Sequence, residues 1–140
     1  GEVLFAKSKA TLTEKGKQQL NLVMRALHQL ITSKTAQISL LSGIMIEGHT
    51  SQTGTERSNW QLSARRALAA LQYLLSIAPP AHHKTYARLF AAAAHGQYKP
   101  VRTAGRIDNA RSRRIEIKIL FRQQQRIQQL LRQINRNPTP

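Results

Sequence analysis

The amino-acid sequence predicts an α+β sandwich, a mixed sheet with helices packed on one face, and three observations point to it. Leu20 to Ile31 carries apolar residues at three- and four-residue intervals, the period of an amphipathic helix. Arg114 to Phe121 alternates with period two, as a half-buried strand does. The chain has 140 residues, 41% of them hydrophobic, which makes one domain with a real core.

The elements follow in order. Glu2 to Ala6 is a short extended apolar run and opens the sheet. Thr13 has the side chain of an N-cap, and the helix after it turns Leu20, Val23, Met24, Leu27, Leu30 and Ile31 inward. Ile38 to Glu47 is rich in apolar and β-branched residues and ends at Gly48, so it reads as a strand that delivers a loop. A second helix covers about Ser58 to Ile77 and stops at Pro79-Pro80, because neither proline has the N–H that would continue the ladder. Lys84 to Ala94 reads as a short helix running into a strand, and Gly96 with Pro100 opens a loop. In the last strand Ile115, Ile117, Ile119 and Phe121 face one side, Glu116, Lys118 and Leu120 the other. The expected order is βαβαββ in residues 1–121, followed by a Gln/Arg-rich helical tail in residues 122–140.

On a wheel of about 100° per residue, Asn59, Leu62, Ser63 and Arg66 share one narrow stripe of the second helix. Trp60, Ala64, Ala67, Leu71, Leu74 and Leu75 share another and are the expected core face. The first stripe is then left at the helix edge, beside the loop Gly48 to Gly54. A polar loop and a polar helix edge make one shallow pocket, in which Arg66 supplies a guanidinium fork suited to a carboxylate. His49 reads as a structural residue of the loop. His28, His82, His83 and His95 have no carboxylate or cysteine at ligand spacing, so no metal site and no cofactor are expected.

The segment Gly48-His49-Thr50-Ser51-Gln52-Thr53-Gly54, with Asn59-Trp60-Gln61-Leu62-Ser63-Ala64-Arg65-Arg66-Ala67, resembles the signature of the OmpA-like peptidoglycan-binding domain, G-H-T-D-x-x-G-x-x-x-x-N-x-x-L-S-x-x-R-A. The wording is most similar to the MotB-type stator branch. Phe5 and Leu12, Gly96 and Pro100, and Arg113-Arg114-Ile115-Glu116-Ile117 extend the resemblance over about Leu4 to Leu120. Two positions depart from the pattern: Ser51 stands where the family has aspartate, and Ser112 where it has asparagine. The resemblance implies a non-catalytic module that binds the diaminopimelate of the cell-wall stem peptide through Thr50, Ser51, Asn59, Leu62 and Arg66 and anchors an envelope complex. The family's aspartate receives the diaminopimelate amine, so Ser51 also supports the alternative of a degenerate scaffold domain that no longer binds the wall.

Composition agrees with a binding module. The formal net charge of +16 requires or tolerates a polyanionic neighbour, of which wall polymer, anionic lipid and nucleic acid are the candidates. Nucleic acid is not expected, because no helix-turn-helix, zinc-finger or RNA-recognition signature is present. Catalysis is not expected either: the six acidic residues form no close pair in the sequence, and no nucleophile motif or phosphate-binding glycine loop occurs. No run reaches the roughly 18 apolar residues of a membrane span. A periplasmic location would therefore place the export signal or membrane attachment upstream of Gly1. The tail sets Ile127, Leu130, Leu131 and Ile134 on one helical face among Arg122, Arg126, Arg132 and Arg136, an amphipathic basic surface. It suits docking on its own domain, contact with another subunit of an envelope complex or with a second copy in a homodimer, or a membrane surface.

Overall fold

The computed structural model describes residues 4–33, 41–122 and 124–136. Helix α1 (Glu14–Thr32) begins where the Thr13 hydroxyl accepts from Gly16 N at 2.9 Å, satisfying one of the free N–H groups of the first turn. Its buried residues Leu20, Met24, Leu27 and Ile31 keep the predicted spacing. Before it, Phe5 and Leu12 make an isolated antiparallel bridge, so the expected opening strand is a single bridge among the described residues, with Glu2 and Val3 outside them.

Strand β1 (Leu41–His49) is the centre of a three-stranded sheet. It runs parallel to β2 (Phe90–Ala94) and antiparallel to β5 (Arg114–Phe121), which makes the sheet mixed, as expected. The expected start of the strand at Ile38 to Leu40 lies outside the described residues. Helix α2 (Glu56–Ile77) starts two residues before the expected position, capped by Thr55, and ends before Ala78 and the two prolines. A 3₁₀ turn at Pro80–His82 leads into α3 (His83–Leu89), whose Tyr86 is wholly buried with its hydroxyl 3.3 Å from His28 Nδ1. Ile44 and Ile46 of β1 meet Leu20, Met24, Leu27 and Ile31 of α1 and Ala67, Ala70 and Leu74 of α2 in one core.

The structure corrects the face of α2. Its buried residues are Asn59, Ser63, Arg66, Ala67, Ala70 and Leu74, while Trp60, assigned to the core by its wheel position, is 40% exposed and Ala64 is also exposed. The cause is a backbone contact. A Cβ on Gly48 would collide with the carbonyl of Ser63, so β1 and α2 meet main chain to main chain and only small side chains fit between them. Trp60 turns outward, against Tyr98 at 5.9 Å between ring centroids.

Between Pro100 and β5, where a loop was expected, the chain forms a hairpin of β3 (Arg102–Thr103) and β4 (Arg106–Ile107) and a single helical turn, α4 (Asn109–Ser112). Ala104 and Gly105 both adopt positive φ, 49° and 77°, the two-residue turn whose twist suits a hairpin. In β5 Ile115, Ile117 and Ile119 pack on the core as predicted, but Phe121 is 57% exposed. Opposite it the register slips between Leu41 and Gly43, a bulge that ends the regular alternation. The tail is helical, α5 (Gln124–Arg136), and its Leu130, Leu131 and Ile134 are 50 to 65% exposed. The side chains of Arg126 and Ile127 lie outside the described ones.

Candidate functional site

Thr50, Ser51, Asn59, Leu62 and Arg66 line one pocket of about 510 Å³ between the loop after β1 and the first turns of α2. Asn59 builds the loop: the two N–H groups of its Nδ2 are shared among Ser51 O at 3.3 Å, Thr53 O at 3.0 Å and Gln97 Oε1 at 2.7 Å. Three acceptors on one amide account for its burial, since an unpaired buried amide would destabilise the fold. Ser51 shares a 2.7 Å hydrogen bond with the Thr53 hydroxyl and is buried. Thr50 is buried too, its N donating to Gly96 O at 2.8 Å, while its Oγ1 has no hydrogen-bond partner among the described residues.

Arg66 is not at an exposed edge, as its stripe suggested, but 6% exposed. Its Nε donates to Lys9 O at 2.9 Å, and its guanidinium carbon lies 5.2 Å from the centre of the Phe5 ring, a cation–π contact. Burial and then the nearby Arg113 charge push its pKa down from the ordinary value. Lys7, Arg65 and Arg113 line the same pocket, and no acidic residue does. Among the described residues no carboxylate pairs with Arg65, Arg66 or Arg113. The arrangement is a cationic cleft, chemically suited to an anion, with an apolar wall made by Leu62 and Phe5. The sequence motif did not reveal Lys7 and Arg113, which arrive from distant parts of the chain.

Two serines hold the frame around the pocket. Ser63 Oγ donates to Trp60 O and accepts from Gly96 N at 3.1 Å, joining α2 to the segment after β2. Ser112, at the position where the resemblance expects asparagine, is wholly buried; its Oγ donates to Asp108 O at 2.6 Å and accepts from Val101 N at 3.0 Å. That departure thus keeps a hydrogen-bonding role across the hairpin.

Behind the pocket loop lies a second polar group. Glu47 and Glu116 are register partners on β1 and β5, a carboxylate pair the linear sequence hid, with Lys118 Nζ 2.9 Å from Glu47 Oε2 and 3.8 Å from Glu116 Oε2. His95 Nε2 lies 3.3 Å from Glu47 Oε1, so the expectation that His95 lacks a carboxylate at ligand distance is also corrected. The two residues are far apart in sequence, and sheet pairing brings them together. His49 is 1% exposed and stacks on His95 with ring centroids 4.9 Å apart. Burial, then the Arg114 charge, lower its pKa to about 4. Burial raises the Glu47 carboxyl, but Lys118 and His95 outweigh that and bring it to about 2.

The comparisons with known proteins agree with this architecture. A family model described as the OmpA family matches residues 4–114. The periplasmic domain of Helicobacter pylori MotB is similar with a TM-score of 0.69 at 13% identity, covering 99% of this chain and 89% of that one. The cell wall anchor of the T6SS from Pseudomonas aeruginosa is similar with a TM-score of 0.61 at 25% identity, over 87% and 78% of the two chains. The OmpA-like domain of FopA1 from Francisella tularensis has a TM-score of 0.60 at 20% identity, over 86% and 73%. No curated protein matches the chain significantly.

Proposed function

The chain belongs to the OmpA family, and from that premise we propose that it binds peptidoglycan without catalysis and anchors an envelope complex to the cell wall. The observation that carries the reading is the pocket: the five nominated residues meet in one cleft whose charged lining is wholly cationic. A stem peptide offers carboxylates to Arg66 and its neighbours, and the methylene chain of diaminopimelate packs on Leu62. Charge-assisted hydrogen bonds of this kind contribute about 1.5 to 3 kcal/mol each. By the same reading the domain works in the periplasm, as the similar MotB domain does. Its partners are peptidoglycan and other subunits of an envelope complex. The T6SS cell wall anchor is a precedent for such a machine.

Ser51 keeps a second reading in play, a scaffold that has given up the wall, because its hydroxyl is engaged by Thr53 and the pocket offers no carboxylate to an amine. Calorimetry with a diaminopimelate-containing peptide separates the two. The anchor reading expects weak, saturable binding by the parent and roughly tenfold tighter binding by Ser51→Asp, about 1.4 kcal/mol for the restored charge partner. Absence of binding in both proteins, together with no retention on purified sacculi, would establish the scaffold instead.

A further inference from the structure

We propose that Glu47, His49 and His95 form a binding site for a divalent transition-metal ion of the zinc class, clamping the end of β1 to the segment that leaves β2. Glu47 and His49 are two residues apart on one strand and share the sheet face opposite Ile44, Ile46 and the helices. His95 follows the last residue of β2, and its N donates to Gly48 O at 3.0 Å, which fixes it beside them.

The donor atoms converge. One atom from each of the three residues lies within 4.8 Å of the others. Glu47 Oε1 to His95 Nε2 is 3.3 Å and Glu47 Oε2 to His49 Nε2 is 3.7 Å. Around a tetrahedral ion with ligands about 2.0–2.1 Å away, neighbouring donors stand about 3.3–3.4 Å apart, the spacing of the Glu47–His95 pair, while His49 faces the other carboxylate oxygen and would draw in by a small rotation. A second observation is independent of that spacing. Both ring nitrogens of His49, a side chain 1% exposed, and Nε2 of His95 are buried without hydrogen-bond partners among the described residues. A buried imidazole unpartnered on both nitrogens is an unfavourable state that an ion relieves.

Two imidazoles and a carboxylate favour zinc, nickel or copper over magnesium or calcium, which prefer oxygen ligands. Glu116, its Oε1 held by Arg114 Nε at 2.7 Å, has its Oε2 3.7 Å from His49 Nε2 and can supply a fourth donor through that oxygen. The ammonium of Lys118 now neutralises Glu47 and competes with the ion. Its side chain is 46% exposed, which gives an entry path. Since Thr50 and Ser51 directly follow His49, the ion would steady the loop that forms the pocket.

The test titrates chelator-stripped protein with zinc chloride and, separately, magnesium chloride, reading calorimetry and the thermal midpoint. Zinc is expected to bind one ion per chain and raise the midpoint, with magnesium inert. His95→Gln and Glu47→Gln should each weaken zinc by about tenfold or more, and Lys118→Met should strengthen it. A double His82→Ala/His83→Ala variant should bind like the parent. Lack of saturable zinc binding by folded parent would overturn the site, and so would binding that survives His95→Gln and Glu47→Gln but disappears with His82 and His83.

Discussion

Arg66 holds the N-terminal segment through Lys9 O and the Phe5 ring while its charge faces a pocket with no counter-ion. Removing it therefore affects stability as well as binding. Arg66→Ala should cost about 1 to 3 kcal/mol in urea unfolding, from the lost hydrogen bond and cation–π contact. Arg66→Lys keeps the charge and much of the stem but not the planar fork, and should fold normally yet bind sacculi more weakly. Full retention of Arg66→Lys on sacculi would remove the carboxylate clamp from the account. The family signature was enough to name five of the residues that line the pocket, because a loop and the following helix turn are close in sequence. Lys7, Arg113 and the meeting of Glu47 with His95 were not legible, since each depends on sheet pairing or chain return. His49 also makes a pH prediction, set among Glu47, His95, Arg114, Glu116 and Lys118. Its folded pKa of about 4 lies below its ordinary 6.5, so the unfolded chain takes up the proton first as pH falls. Stability is full above pH 6.5 and is lost on going down to 4, by on the order of 3 kcal/mol, with Glu47 adding a loss from 4.5 toward 2. Urea midpoints of chelator-treated protein that stay level from pH 7 to 4 would contradict the buried neutral imidazole.

At the scale of elements, α2 is governed by its approach to β1. The sequence pattern predicted the helix and its end at Ile77 correctly because the proline stop and apolar period are local, and missed the first two residues. The wheel placed Ala67, Leu71, Leu74 and Leu75 on the core face as observed, but put Trp60 and Ala64 there wrongly, because hydrophobicity alone ranks Trp60 above Ser63. Residue size was the missed signal: Gly48 on the strand meets the Ser63 backbone on the helix, whose buried face continues in Ala67 and Ala70, a row of small side chains that permits close packing. Gly48→Ala should accordingly push α2 off the sheet and destabilise by about 3 kcal/mol, because main chain cannot give way as a side-chain tip can. Trp60→Phe, on the exposed side, should change stability by under about 1 kcal/mol. Reversal of those two effects in chemical denaturation would mean that the predicted wheel, not the close contact, describes the helix. The hairpin of β3 and β4 was missed for another reason: two-residue strands carry too little periodicity to stand out, and only the Ala104-Gly105 turn marks them.

For the molecule as a whole, the sheet and its two long helices close by Phe121, and we propose that residues 1–121 fold independently of the tail. Among the described residues no core residue comes from α5, and Leu130, Leu131 and Ile134 project apolar surface into solvent beside Arg132 and Arg136. A helix of this pattern is marginal alone, since short helices are stabilised chiefly by packing of their apolar face. Deleting Gln123 to Pro140 should leave a cooperative thermal transition and unchanged sacculus retention, because among the described residues neither the core nor the pocket draws on that segment. It also removes three arginines, Arg126, Arg132 and Arg136, and no acidic residue, so binding to anionic vesicles should fall if the tail meets a membrane. A drop in self-association or in capture of another subunit, with vesicle binding unchanged, assigns the apolar face to a protein contact. Loss of the cooperative transition itself would show that α5 belongs to the folded unit and that the boundary at 121 is wrong.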